Sequence, residues 1–101
     1  MNDQITITRA ELKDLLASKE PFTLLDVREV SEHILSSIPG DVLIPLGELS
    51  KRAPTELDPT KPLVIYCAHG VRSLGAAHAL KSLGFKNVRS LIGGISQYFE
   101  N

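Results

Sequence analysis

The sequence holds one cysteine and no tryptophan in 101 residues. A lone cysteine cannot close an internal disulfide, so Cys67 either packs as a small apolar group or reacts. Charge of one sign is not in excess either: eleven Lys and Arg stand against twelve Asp and Glu, for a net charge of −1. That balance speaks against nucleic-acid binding and against a polybasic membrane anchor, so neither nucleic acid nor membrane is expected as a partner. No stretch reaches the roughly 18 consecutive apolar residues of a membrane span. The opening residues, MNDQITITRAELKDLL, lack the basic start and apolar run of a secretory signal. The expectation is a cytoplasmic protein, in a compartment where thiols stay reduced. One cysteine and three scattered histidines show no ligand spacing, so neither a metal nor another cofactor is expected.

What is present is an ordinary globular composition, 43% hydrophobic and 23% charged, in a length that suits one domain over residues 1–101. Strand-like and helix-like patterns alternate. Ile5 and Ile7 mark a short edge strand, and Thr8 to Glu11 has capping-box spacing ahead of a helix with Leu12, Leu15 and Leu16 on one face. Residues 22–27 read as a strand buried on both faces, and residues 29–35 as a short helix, with Arg28 and Glu32 within pairing reach. Val42 to Ile44 is a further apolar run, 47–52 a weak helix, and 53–62, with three of the six prolines, a loop. Leu63 to Tyr66 is the clearest strand. A helix over 72–83 is predicted to bury Leu74, Ala77, Leu80 and Leu83, followed by a strand at 87–92 and a short helix at 95–99. Such alternation predicts an α/β fold with a parallel sheet flanked by helices on both faces. Ligand sites in such sheets lie at the carboxyl ends of the strands, here after Val27 and after Tyr66.

The segment after Tyr66 reads Cys67-Ala68-His69-Gly70-Val71-Arg72-Ser73 and then enters a helix. Gly70 permits a tight turn, and the first N–H groups of the helix point back into the loop, where they favour an anion. Those donors and the charge of Arg72 lower a thiol's pKa, so Cys67 is expected to be a nucleophilic thiolate. Cysteine phosphatases use a wider Cys-x5-Arg loop, whereas four residues separate Cys67 from Arg72 here. The smaller ring suits one extra sulfur on the cysteine better than a phosphoryl group.

Four segments, taken in order, resemble the single-domain rhodanese (thiosulfate sulfurtransferase) family. They are Leu25-Asp26-Val27-Arg28-Glu29 with Glu32; Ile38-Pro39-Gly40 leading to Ile44-Pro45-Leu46; the loop from Cys67 to Ser73; and Leu91-Ile92-Gly93-Gly94-Ile95. The resemblance implies a rhodanese-like fold with a central five-stranded parallel sheet. It also implies a reaction in which Cys67 accepts a sulfane sulfur from thiosulfate or a related small donor and holds it as a persulfide. The sulfur then passes to a small thiophilic acceptor such as cyanide or a thiol, or to a protein. Ala68, His69, Gly70, Val71, Arg72 and Ser73 would then line the anion site. Arg72 is the first candidate to attract the donor's sulfonate, and His69 either helps or only packs and caps the loop. Asp26 and Arg28 are read as supporting residues, Arg28 pairing with Glu32 and Asp26 bracing the loop. Where the family carries Gly-His before Ile-Pro-Gly this chain has Ser36-Ser37, its usual tyrosine after Glu32 is His33, and its tryptophan after the double glycine is Tyr98. His33 and His78 are expected to pack or lie at the surface. The competing readings are a non-enzymatic binding module of the same fold and a small cysteine phosphatase or arsenate reductase.

Overall fold

A computed structural model describes residues 4–100, in which five parallel strands form one sheet. In chain order the elements are β1 (Thr6–Ile7), α1 (Arg9–Ser18), β2 (Thr23–Asp26), α2 (Val30–Leu35), β3 (Val42–Leu43), a 3-10 turn (Leu46–Glu48), α3 (Leu49–Glu56), β4 (Leu63–Tyr66), α4 (Val71–Ser82), β5 (Val88–Leu91) and α5 (Gly94–Tyr98). The sheet order is β1-β5-β4-β2-β3, so β4 lies at the centre and the expected short edge strand β1 is at one margin.

The central strand β4 is apolar at all four positions because both of its faces are covered. On β2 and β4, Leu25, Val27, Leu63, Ile65 and Cys67 point to one face, where Leu49, Ala53 and Leu57 of the α3 region and Ala76, Ala77 and Leu80 of α4 meet them. Leu24, Val64 and Tyr66 point to the other, against Leu12 of α1, Ile38 and Tyr98 of α5. The period of two along a strand therefore sends Cys67 to the α3–α4 side. Thr8 and Glu11 form the predicted capping box: the Glu11 N–H donates to Thr8 Oγ1 at 3.1 Å and the Thr8 N–H to Glu11 Oε1 at 2.9 Å. No helix among the described residues is long and apolar enough to cross a membrane.

Two sequence expectations fail here. The proline-rich stretch 53–62 is not all loop, because α3 runs on to Glu56 with Pro54 inside it. Burial of Leu49, Ala53 and Leu57 outweighs the one hydrogen bond that proline forfeits, and Arg52 ties the exposed side through Glu48 at 3.0 Å and Glu56 at 2.8 Å. The buried stripe of α4 is also rotated. Ser73, Ala76, Ala77 and Leu80 face the sheet, whereas Leu74 and Leu83 are exposed. Small residues let the helix axis approach the sheet closely, and that packing decides the face rather than the leucine spacing.

Candidate active site

Because β2 and β4 are adjacent and parallel, with Asp26 opposite Tyr66, the two strand ends singled out by the sequence meet at one edge of the sheet. Cys67 is the residue that follows β4. Gly70, with φ +100°, turns the chain back so that α4 starts immediately beyond it. A Cβ at Gly70 would stand 3.3 Å from both Gly93 N and the Leu91 carbonyl oxygen, so the loop closes against the end of β5 only because that position is glycine.

The result is a ring of donors around sulfur. The Gly70 N–H donates to Cys67 Sγ at 3.1 Å and the Ser73 N–H at 3.3 Å, while Ser73 Oγ lies 3.4 Å away. Burial pushes the Cys67 thiol up, but the Ser73 hydroxyl and the N–H groups of Ser73, Gly70 and His69 outweigh it and hold the thiol below its ordinary value. The other side of the loop is held by α5, where the N–H groups of Ile95 and Ser96 donate to the carbonyls of Cys67 and Ala68, each at 3.0 Å. With those carbonyls bound on the outside, the loop's N–H groups are free to face inward. This clamp is not legible in the sequence, where Gly93-Gly94 enters only as part of the segment Leu91 to Ile95 that carries the family resemblance.

The charged residues pair differently from the sequence expectation. Arg28 does not reach Glu32. It precedes the first turn of α2, so helical i,i+4 geometry does not apply, and its side chain turns inward. Its Nε and Nη2 donate to the two oxygens of Asp26, each at 2.9 Å, and its guanidinium lies over the Tyr66 ring at 5.3 Å. Glu32 instead takes Arg72 in a two-pronged pair at 3.0 and 2.8 Å. Those bonds and the Glu29 N–H hold the Glu32 carboxyl down at about 2. The guanidinium expected to greet an anionic donor is thus already held by a carboxylate.

Asp26 does not brace the loop by contact with it. Its carboxylate holds Arg28 and accepts from His33 Nδ1 at 2.9 Å. His33 was expected to pack or lie at the surface. It is half-buried and ties α2 to the end of β2, beside Asp41, which accepts from the Tyr66 hydroxyl. Asp26, His33 and Asp41 offer ligand atoms within 4.8 Å of one another, but these atoms serve Arg28, Tyr66 and each other, which makes a hydrogen-bond network. His69 turns its Nδ1 to Ser96 Oγ at 3.2 Å, the capping alternative. Behind the loop a groove of about 480 Å³ runs between α4 (Val71, Leu74, Gly75 and His78) and the sheet edge at Thr6 and Ser90.

Burial pushes the Asp26 carboxyl up, but its bonds to Arg28 and His33 prevail and hold it below the usual range. A carboxyl lowered by folding contributes stability above its unfolded pKa of about 3.9, lost as pH falls toward the folded value. Arg28→Lys keeps the charge but loses the fork, and is expected to cost about 2 kcal/mol at neutral pH. Urea unfolding of both proteins from pH 7 to 2 tests this: the gap should shrink as pH falls below the ordinary carboxylate range toward the lowered folded value of Asp26. A gap constant with pH would sink the assignment to this pair.

Residues 8–101 match the family described as Rhodanese-like domain. The chain is 40% identical over 92 residues to a Bacillus subtilis protein named putative sulfur carrier protein YrkF, covering 91% of this chain and 49% of that one. This chain therefore spans about half the length of that relative. It is 36% identical over 87 residues to the thiosulfate sulfurtransferase GlpE of Coxiella burnetii, covering 82% of this chain and 77% of that one. Among solved structures, the human single-domain sulfurtransferase TSTD1 superposes with a TM-score of 0.84 at 29% identity, with 96% of each chain covered.

Proposed function

This chain belongs to the rhodanese-like domain family, and from that premise we propose that it is a sulfurtransferase carrying sulfane sulfur on Cys67. The observation that carries the reading is the ring of hydrogen-bond donors closed on Sγ by Gly70 and Ser73. It stabilises a sulfur anion in place without needing a proton.

In the first half-reaction the Cys67 thiolate attacks the outer sulfur of thiosulfate. The new S–S bond forms as the donor's S–S bond breaks, and sulfite leaves with the bonding pair. In the second, a thiophilic acceptor attacks the terminal sulfur and the Cys67 thiolate departs. Cyanide, a small thiol or a protein thiol can fill that role, since each supplies the electron pair. The loop from Ala68 to Ser73 encloses the sulfur in both halves. Arg72 supplies positive potential moderated by Glu32, and Asp26 with Arg28 fixes the neighbouring strand end. A cytoplasmic setting suits the cycle because it keeps the thiol reduced.

The direct test is intact mass before and after thiosulfate. A gain of one sulfur atom, removed again by cyanide with formation of thiocyanate, is expected. No gain with thiosulfate or with glutathione persulfide would overturn the proposal.

A further inference from the structure

Two hydroxyls stand in line behind the sulfur, and only the nearer belongs to the loop. Ser73 Oγ is 3.4 Å from Cys67 Sγ and 2.7 Å from Oγ of Ser90, a residue of β5. Both serines are closed to solvent, at 0% and 2% exposure. Burying a hydroxyl is costly unless it is bonded, and valine, the residue two places earlier on the same strand face, would fill the space without that cost.

Counting hydrogens shows what the pair does. If Cys67 is a thiol that donates to Ser73 across their 3.4 Å contact, the Ser73 hydrogen goes to Ser90. The Ser90 hydrogen then has no acceptor among the described residues. If Cys67 is a thiolate, the chain reverses. Ser90 donates to Ser73, Ser73 donates to sulfur, and every hydroxyl hydrogen is used. We propose that Ser90 is a positioning residue that donates to Ser73 Oγ, committing the Ser73 hydrogen to Cys67 and so favouring the thiolate.

The surrounding charges act on the sulfur by other routes than Ser90. Arg72 on α4 is held by Glu32 of α2, with Glu29 close by. At the end of β2, Arg28 is held by Asp26, which His33 also contacts, and on the loop His69 faces Ser96 of α5. None of these groups bonds to Ser90, so substitution there leaves them in place.

The inference rests on Cys67 being the reacting thiol, but its test does not require sulfur transfer. Because Cys67 is the one cysteine, the rate of alkylation by iodoacetamide against pH reports its ionisation alone. Ser90→Thr and Ser90→Val have the same shape and differ in the hydroxyl. The valine variant is expected to raise the midpoint by about half to one pH unit over the threonine variant, a three- to tenfold loss of thiolate below it. Ser90→Ala should shift it likewise, which keeps the test open if valine does not fold. In a Ser73→Ala background the change at position 90 should have no further effect, because its route to sulfur is gone. Equal midpoints for threonine and valine, or an undiminished shift without Ser73, would overturn the role. Intact sulfur loading with no shift rejects Ser90 alone, and a shift without loading rejects the sulfurtransferase reading alone.

Discussion

Cys67→Ser is expected to abolish sulfur transfer, leaving no turnover above the uncatalysed reaction and no mass gain after thiosulfate. Serine has nearly the same shape, and its oxygen can accept the N–H groups of Gly70 and Ser73 that now converge on Sγ. The donor ring stays occupied, so the fold should lose no more than about 1 kcal/mol, a fall of about 4–8 °C in Tm or less. What disappears is the chemistry. A hydroxyl does not ionise near neutral pH even inside this ring, and oxygen forms no counterpart of the persulfide. Thiocyanate formation measured alongside the melting curve separates the two effects. Residual activity in this variant, or in Cys67→Ala, would place the sulfur carrier elsewhere and dismantle the mechanism.

Gly94→Ala is the second large effect, and it arises outside the loop. Gly94 has φ +62°, and a Cβ there would lie 2.5 Å from the Cys67 carbonyl oxygen and 2.6 Å from the Ala68 carbonyl carbon. Both are backbone atoms that cannot step aside. The left-handed conformation alone costs an alanine about 1–2 kcal/mol. Relieving the overlap must also push α5 off the loop, stretching the bonds from Ile95 and Ser96 that hold those two carbonyls. A total of about 3 kcal/mol or more is expected, a drop of some 12 °C or more in Tm. Sulfur-loading rate should fall at least tenfold, because the Ala68–His69 peptide that α5 grips carries the His69 N–H facing sulfur and leads directly into the Gly70 turn. Gly40→Ala supplies the control: its φ is +89°, but a Cβ there meets nothing within 4 Å, so it carries the conformational cost without the overlap. If both variants melt alike and load sulfur alike, the clamp by α5 has no role.

Contacts local in the chain could be read from the residues. Leu63–Tyr66 is found where the β-branched and aromatic run predicts it, and the Thr8–Glu11 box forms as its spacing requires. Contacts between distant segments could not. Arg72 meets Glu32 across 40 residues, Ser73 meets Ser90 across 17, and Tyr66 meets Asp41 across 25. Arg28 was within helical reach of Glu32 only if both lay inside a helix, and the structure starts α2 at Val30. The buried face of α4 likewise followed from how near the sheet would accept the helix. Ser90 reads from sequence as one polar residue in a strand, and only its depth beside Ser73 makes it notable.

Cys67, the turn at Gly70 and the donors of the first α4 turn are contiguous, so the sequence by itself determined the candidate nucleophile, its loop and the α/β alternation that sets the loop at a strand end. Strand order, which brings β5 beside β4 and β4 beside β2, is a long-range property. It decided which carboxylate holds Arg72, what clamps the loop from outside and which hydroxyl stands behind the sulfur. Pattern and spacing act over a few residues, whereas partners for buried polar groups are settled only when the layers pack.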